Sequence, residues 1–188
     1  MKNKAALVIG VLSLCDLALT GDDRGGKLRT QGTSIEGCPP SECDCVDGNL
    51  VANCGFETGD FTDWTLSGDQ TDMEVLPAGH SGCYGAFLGP PGDMGFLAQD
   101  LPTAAGEYYD LSFWLRGMGT PNAFQVLWNG AIVYRCYNCP NFPDTHFAFT
   151  GLLATDESTE LKFGFFNVPD YFFFDDVVVT VSTESTTK

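Results

Sequence analysis

The segment Asn49-Leu-Val-Ala-Asn-Cys-Gly-Phe-Glu-Thr-Gly-Asp-Phe-Thr-Asp-Trp64 decides how the rest of the chain is read. Leu50 to Asn53 is apolar enough for a short strand, and it runs into Gly55-Phe56-Glu57, then Gly59, then Trp64. Glycine adopts positive φ without a steric cost, so two closely spaced glycines let the backbone wrap tightly. A carboxylate between two such turns can join backbone carbonyls around a hard cation such as calcium, which takes about 6–8 oxygen ligands.

Working outward from Trp64, short apolar runs alternate with turn residues, the pattern of an all-β domain. Strand candidates are Met73 to Leu76, Tyr84 to Leu88, Gly95 to Leu101, Tyr108 to Leu115, Phe124 to Trp128, Ala131 to Cys136, His146 to Ala154, Leu161 to Asn167 and Phe172 to Val181. No segment carries a helical stripe, and no internal repeat is visible. About nine strands in some 130 residues suit a two-sheet antiparallel β-sandwich of jelly-roll type.

The opening Asn-x-Gly-Phe-Glu-x-Gly…Trp run and the strand Phe174-Asp175-Asp176-Val177 resemble the two ends of family 4/9-type carbohydrate-binding modules and related galactose-binding-like jelly rolls. The resemblance covers about Asn49 to Val181. It implies the sandwich fold and a structural calcium between Glu57 and Asp175. It also brings the turns holding Cys54 and Cys83 together, which implies a Cys54–Cys83 disulfide. Cys54 itself departs from the family, which carries a small residue or proline there. By the period of two, Asp175 shares a face with Phe173, Val177, Val179 and Val181. A carboxylate on an apolar face needs a partner. The plainer reading is that Asp175 sits at an exposed strand end and Glu57 caps a turn.

The expected ligand is a neutral glycan, since sugar sites combine aromatic faces with planar polar groups. Trp114 and Arg116 alternate away from Leu111, Phe113 and Leu115. Asn129-Gly130 is a strong two-residue hairpin signal, and its register sets Gln125 opposite Tyr134 and Val126 opposite Val133. Trp114, Arg116, Gln125 and Tyr134 are therefore the expected ligand-binding residues, on one concave sheet. The competing reading is a surface or adhesion protein without a sugar site, in which Trp114 is merely half-buried. Trp64 and the many phenylalanines read as core. His80 and His146 read as solvated. There is no G-x-S-x-G or H-E-x-x-H motif, so catalysis, including a His/Tyr/Arg lyase, is not the expected activity.

The charge of −16 repels phosphate backbones, anionic membranes and polyanionic glycans, which excludes nucleic acid as a partner. Residues 1–20 carry Lys2 and Lys4 before an apolar run of 10 residues, Ala5 to Leu14, too short to span a bilayer. They read as a cleaved export signal. A lipid anchor at Cys15 is the alternative, although Leu14 stands where lipoprotein signals carry a small residue. Residues 21–48, rich in glycine and proline, read as a flexible cysteine-containing linker, 49–182 as the module and 183–188 as a polar tail. A secreted or cell-surface location follows, with no membrane span. The eight cysteines then favour disulfides. Cys136-Tyr-Asn-Cys139 is a local pair, and a zinc site built from the cysteines is the less favoured alternative.

Overall fold

The computed structural model describes residues 37–168 and 170–183, so the expectations for residues 1–36, Cys15 and the export signal among them, lie outside the described residues. Ten strands form two antiparallel sheets, with no α-helix among the described residues. The strands are β1 (Thr65–Gly68), β2 (Met73–Leu76), β3 (Gly85–Leu88), β4 (Gly95–Pro102), β5 (Tyr108–Gly117), β6 (Asn122–Trp128), β7 (Ala131–Tyr137), β8 (Phe142–Leu153), β9 (Ser158–Asn167) and β10 (Phe172–Val181). Sheet I has the order β1-β4-β9-β6-β7 and sheet II the order β2-β3-β10-β5-β8.

Alternation builds the core. Tyr109, Leu111, Phe113 and Leu115 of β5 face inward, as do Leu161, Phe163 and Phe165 of β9 and Phe124, Val126 and Trp128 of β6. Phe113 is the hub, with ring centroids 5.2 Å from Phe163, 5.4 Å from Phe174 and 5.8 Å from Phe124. Each fully buried phenylalanine contributes roughly 1.5–3 kcal/mol of transfer free energy. The opening motif belongs to this core: Phe56 is fully buried and stacks on Trp64 at 5.7 Å, and Trp64 Nε1 donates to the Asn53 carbonyl.

Four features differ from the sequence reading. Leu50 to Asn53 forms no ladder; instead Leu50 N–H donates to Val179 O, and the Asn49 side chain bridges the β10 backbone. A bulge between Asp175 and Val178, with Asp176 at φ 51°, switches the phase of β10. Phe172 and Phe174 face inward before it, and Val177 and Val179 after it, so Asp175 does not share their face. A second irregularity, between Val126 and Leu127, changes the hairpin register: Val126 pairs with Tyr134 and Gln125 with Arg135. The fourth is covalent. Cys38 joins Cys83 and Cys43 joins Cys54, so the expected Cys54–Cys83 bond does not exist, whereas Cys136–Cys139 does. Residues 38–48, expected as part of a linker, are thereby fastened to the sandwich. Ser41 and Cys43 are buried there, and Gly55 admits them: a Cβ at Gly55 would lie 2.6 Å from Ser41 Cβ.

Candidate functional site

The four residues expected on one face are divided. Trp114 and Arg116 do point outward, but from sheet II. Gln125 points outward from sheet I. Tyr134 points between the sheets, its ring 6.0 Å or less from Phe124, Phe147 and Phe149. The cause is topological: β5 and β6 follow one another in sequence but lie in different sheets.

The outer face of sheet II is already filled. The His80 ring lies flat on the Trp114 indole, 3.8 Å between centroids and 16° between planes. His146, paired with Trp114 across β5 and β8, sits at 5.3 Å. Neither histidine is merely solvated, as the sequence suggested. Two residues along β5, the Arg116 guanidinium covers the Phe173 ring at 3.8 Å, with Asp144 3.6 Å from Nη1. A small cleft remains between them, lined by His80, Gly85, Trp114, Arg116, Asp144 and Asp175. Trp114 is thus no open platform for a sugar ring.

The expected calcium pair is also divided. Glu57 accepts hydrogen bonds from Cys83 N–H on both oxygens and from Tyr84 N–H on Oε1. Asp175 Oδ2 accepts from His80 N–H and Ser81 N–H, and Oδ1 from Asp176 N–H. The two share no partner. Burial, Asp44 and Asp176 together raise the Glu57 pKa, whereas burial beside Asp176 pushes Asp175 up to about 9 despite its three N–H donors. Asp176, which the sequence reading passed over, accepts from Ser81 Oγ on both oxygens, from Cys43 N–H, and from His80 Nδ1 at 2.9 Å. All six carboxylate oxygens of Glu57, Asp175 and Asp176 therefore already accept protein hydrogen bonds. Calcium takes oxygen ligands, and here backbone N–H groups hold one lone pair or more of each Glu57 and Asp175 oxygen.

The outer face of sheet I is different. One row runs straight across it: Ser67, Phe96, Gly164, Gln125 and Arg135 stand opposite one another on β1, β4, β9, β6 and β7. At about 4.8 Å per strand, Phe96 to Arg135 spans roughly 14 Å. Gly164 leaves a gap that Gln125 Cγ, Met94 Sδ and Phe96 Cε1 lean over, each within 2.9 Å of where a Cβ would be. The neighbouring row holds Phe166, Ala123 and Tyr137, the last 63% exposed. Lys162 lies 5.3 Å from the Phe96 ring, and Arg135 5.6 Å from that of Tyr137. Gln125 is only 8% exposed, and its amide, which makes no hydrogen bond to the described residues, is left to solvent. Phe96 could have been found in the sequence, since it alternates with buried Leu97. Arg135 could not, because the hairpin irregularity sets its register.

No protein-family model matches the chain, and no curated protein does. Solved structures do. A family 61 carbohydrate-binding module in complex with β-1,4-galactotriose aligns at TM-score 0.59 and 23% identity over 71% of this chain and 99% of that one. A family 22 xylan-binding domain aligns at TM-score 0.51 and 13% identity, over 74% and 99%. The family 22 and catalytic modules of a Clostridium thermocellum endo-1,4-β-D-xylanase, complexed with xylohexaose, align at 0.55 and 15%, over 76% of this chain and 30% of that one. At these identities the likeness establishes the architecture: the chain has the β-sandwich jelly-roll fold of the carbohydrate-binding modules.

Proposed function

We propose that this protein is an exported, non-catalytic module that binds a neutral β-1,4-linked glycan across the outer face of sheet I. The observation that carries the reading is Gln125: an amide with no protein partner among the described residues and open to solvent, beside an aromatic ring, on an outer face. A ligand hydroxyl can replace water at that amide, and the rings around it supply the apolar contact a sugar needs. Phe96, and Phe166 and Tyr137 in the next row, supply apolar ring faces for the C–H faces of sugars, while Arg135 and Lys162 supply donors at the flanks. The glycans named with the structural neighbours, β-1,4-galactotriose and xylohexaose, are neutral and β-linked. That agrees with a chain of charge −16, which repels acidic glycans. The three disulfides among the described residues suit an oxidising compartment outside the cell.

The test is a glycan array followed by calorimetry with β-1,4-galactan and xylan oligosaccharides. Binding that weakens at least tenfold in Gln125→Ala and Phe96→Ala, with unchanged melting, supports the reading. Absence of binding to any neutral glycan would leave the adhesion reading in its place.

A further inference from the structure

Away from the glycan face, one cluster is built for a different ligand. Glu42, His80 and Asp176 each present a ligand atom within 4.8 Å of the other two. They come from three distant parts of the chain, and covalent bonds hold them in place. Glu42 lies between Cys38, bonded to Cys83, and Cys43, bonded to Cys54; His80 stands three residues before Cys83. Asp176 is fixed at the β10 bulge by Ser81 Oγ and Cys43 N–H. The His80 ring is locked against Trp114, and its backbone N–H is held by Asp175. Rigid donors held by a supporting shell are what a metal site requires.

The donor types are also suited to a cation. The Glu42 carboxylate has no hydrogen-bond or ion-pair partner among the described residues, and beside it His80 Nδ1 and Asp176 Oδ2 face each other at 2.9 Å, so a cation between them takes the place of their shared proton. Among the described residues no lysine or arginine pairs with Glu42 or Asp176. Two carboxylates would balance a dication. The imidazole decides the class: calcium and magnesium take oxygen ligands, whereas zinc and its neighbours take imidazole nitrogen together with carboxylate.

We propose that Glu42, His80 and Asp176 form a binding site for one borderline divalent cation of the zinc class. It lies on the side of the sandwich opposite the glycan row and does not depend on the glycan reading. The metal ties the disulfide-fastened segment to the loop before Cys83 and to the last strand.

The test uses the full oxidised chain, stripped with EDTA and dialysed free of it, then titrated with zinc by calorimetry and melted with and without zinc. The expected result is one saturable site in the micromolar range, a zinc-dependent rise in Tm, and no response to millimolar calcium. Glu42→Gln and His80→Ala should each weaken zinc binding at least tenfold. Glu42→Gln alters only a partly exposed side chain, so it separates lost ligation from lost folding. Cobalt(II) in place of zinc should give one set of visible d–d bands in wild type and none in His80→Ala. The proposal is overturned if zinc binds with no saturable site below 1 mM, or if wild type and both variants bind it alike, which would place the metal elsewhere on the acidic surface.

Discussion

The two outer faces of the sandwich carry similar residue types and have opposite fates. On sheet II the rings are covered: His80 lies on Trp114, and Arg116 lies on Phe173. Loops fastened by Cys38–Cys83 and Cys43–Cys54 close over the rim. On sheet I the row from Phe96 through Gln125 to Arg135 leaves the amide to solvent, and Lys162 and Arg135 stand farther from their rings, at 5.3 and 5.6 Å. The comparison teaches that residue type alone does not make a binding face. What matters is whether the fold has already provided partners.

The largest expected effect on this contrast comes from the disulfides. Their closed loops span 45 and 11 residues, and the chain-entropy model gives roughly 4 and 3 kcal/mol for loops of that size. Cys38→Ser with Cys83→Ser should lower the free energy of unfolding by about that larger amount in denaturant titrations, while glycan affinity below the transition stays as in wild type. A parallel loss of affinity would mean that the two faces are not independent.

Trp114→Ala comes next. The indole is half-buried and stacked, so its removal should cost about 2 kcal/mol of stability, less than the roughly 3–5 kcal/mol of a fully buried tryptophan. Glycan binding should not change. A stable variant with weakened binding would return the site to sheet II.

A smaller effect concerns pH. Asp175 is pushed up to about 9 in the folded chain by burial and Asp176, from an ordinary value of 3.8. The folded state therefore holds a proton that the unfolded state has released. That contribution is complete below about pH 4 and is lost progressively as pH rises toward 9. Glu57 is raised by burial and acts in the same direction. For His80 burial is the largest influence and lowers its pKa, but the bond and charge of Asp176, with Glu42 and Asp144, raise it on balance, so its contribution too is lost as pH rises above 6.5. His146, lowered by burial, opposes them near neutrality. Stability should fall between pH 5 and pH 8, read as a lower melting temperature at pH 8, and Asp175→Asn should flatten the slope. A rising profile in wild type would contradict this electrostatic picture.

The smallest expected effect is that of calcium. With the oxygens of Glu57 and Asp175 occupied by N–H donors, millimolar calcium should leave Tm unchanged, and Glu57→Gln should not alter that. A calcium-dependent rise abolished by Glu57→Gln would bear out the sequence expectation instead.

Much of the fold was legible because alternation is local. Phe172 to Val181 and Met73 to Leu76 are strands at the expected bounds, and Trp114 points outward as its neighbours imply. The four-residue strand β1 was missed because Thr65–Gly68 has no alternation to reveal it. The candidate site was only partly legible, for three physical reasons. Which sheet a strand joins is a long-range matter, so Trp114 and Gln125 were grouped although β5 and β6 part company. One-residue irregularities at Asp176 and in the β6–β7 hairpin leave no mark in composition, yet each reassigns a face. Glycine and proline made residues 38–48 look like linker, while Cys38 and Cys43 bind them down.

The central claim is that the glycan lies on sheet I, and paired calorimetry on Gln125→Ala and Trp114→Ala tests it most directly. Titrated with the best neutral β-1,4-linked oligosaccharide from an array, Gln125→Ala should lose at least tenfold in affinity at unchanged Tm. Trp114→Ala should lose stability and keep its affinity. The reverse pattern, with Gln125→Ala binding as wild type and Trp114→Ala failing to bind while still folded, would contradict the account.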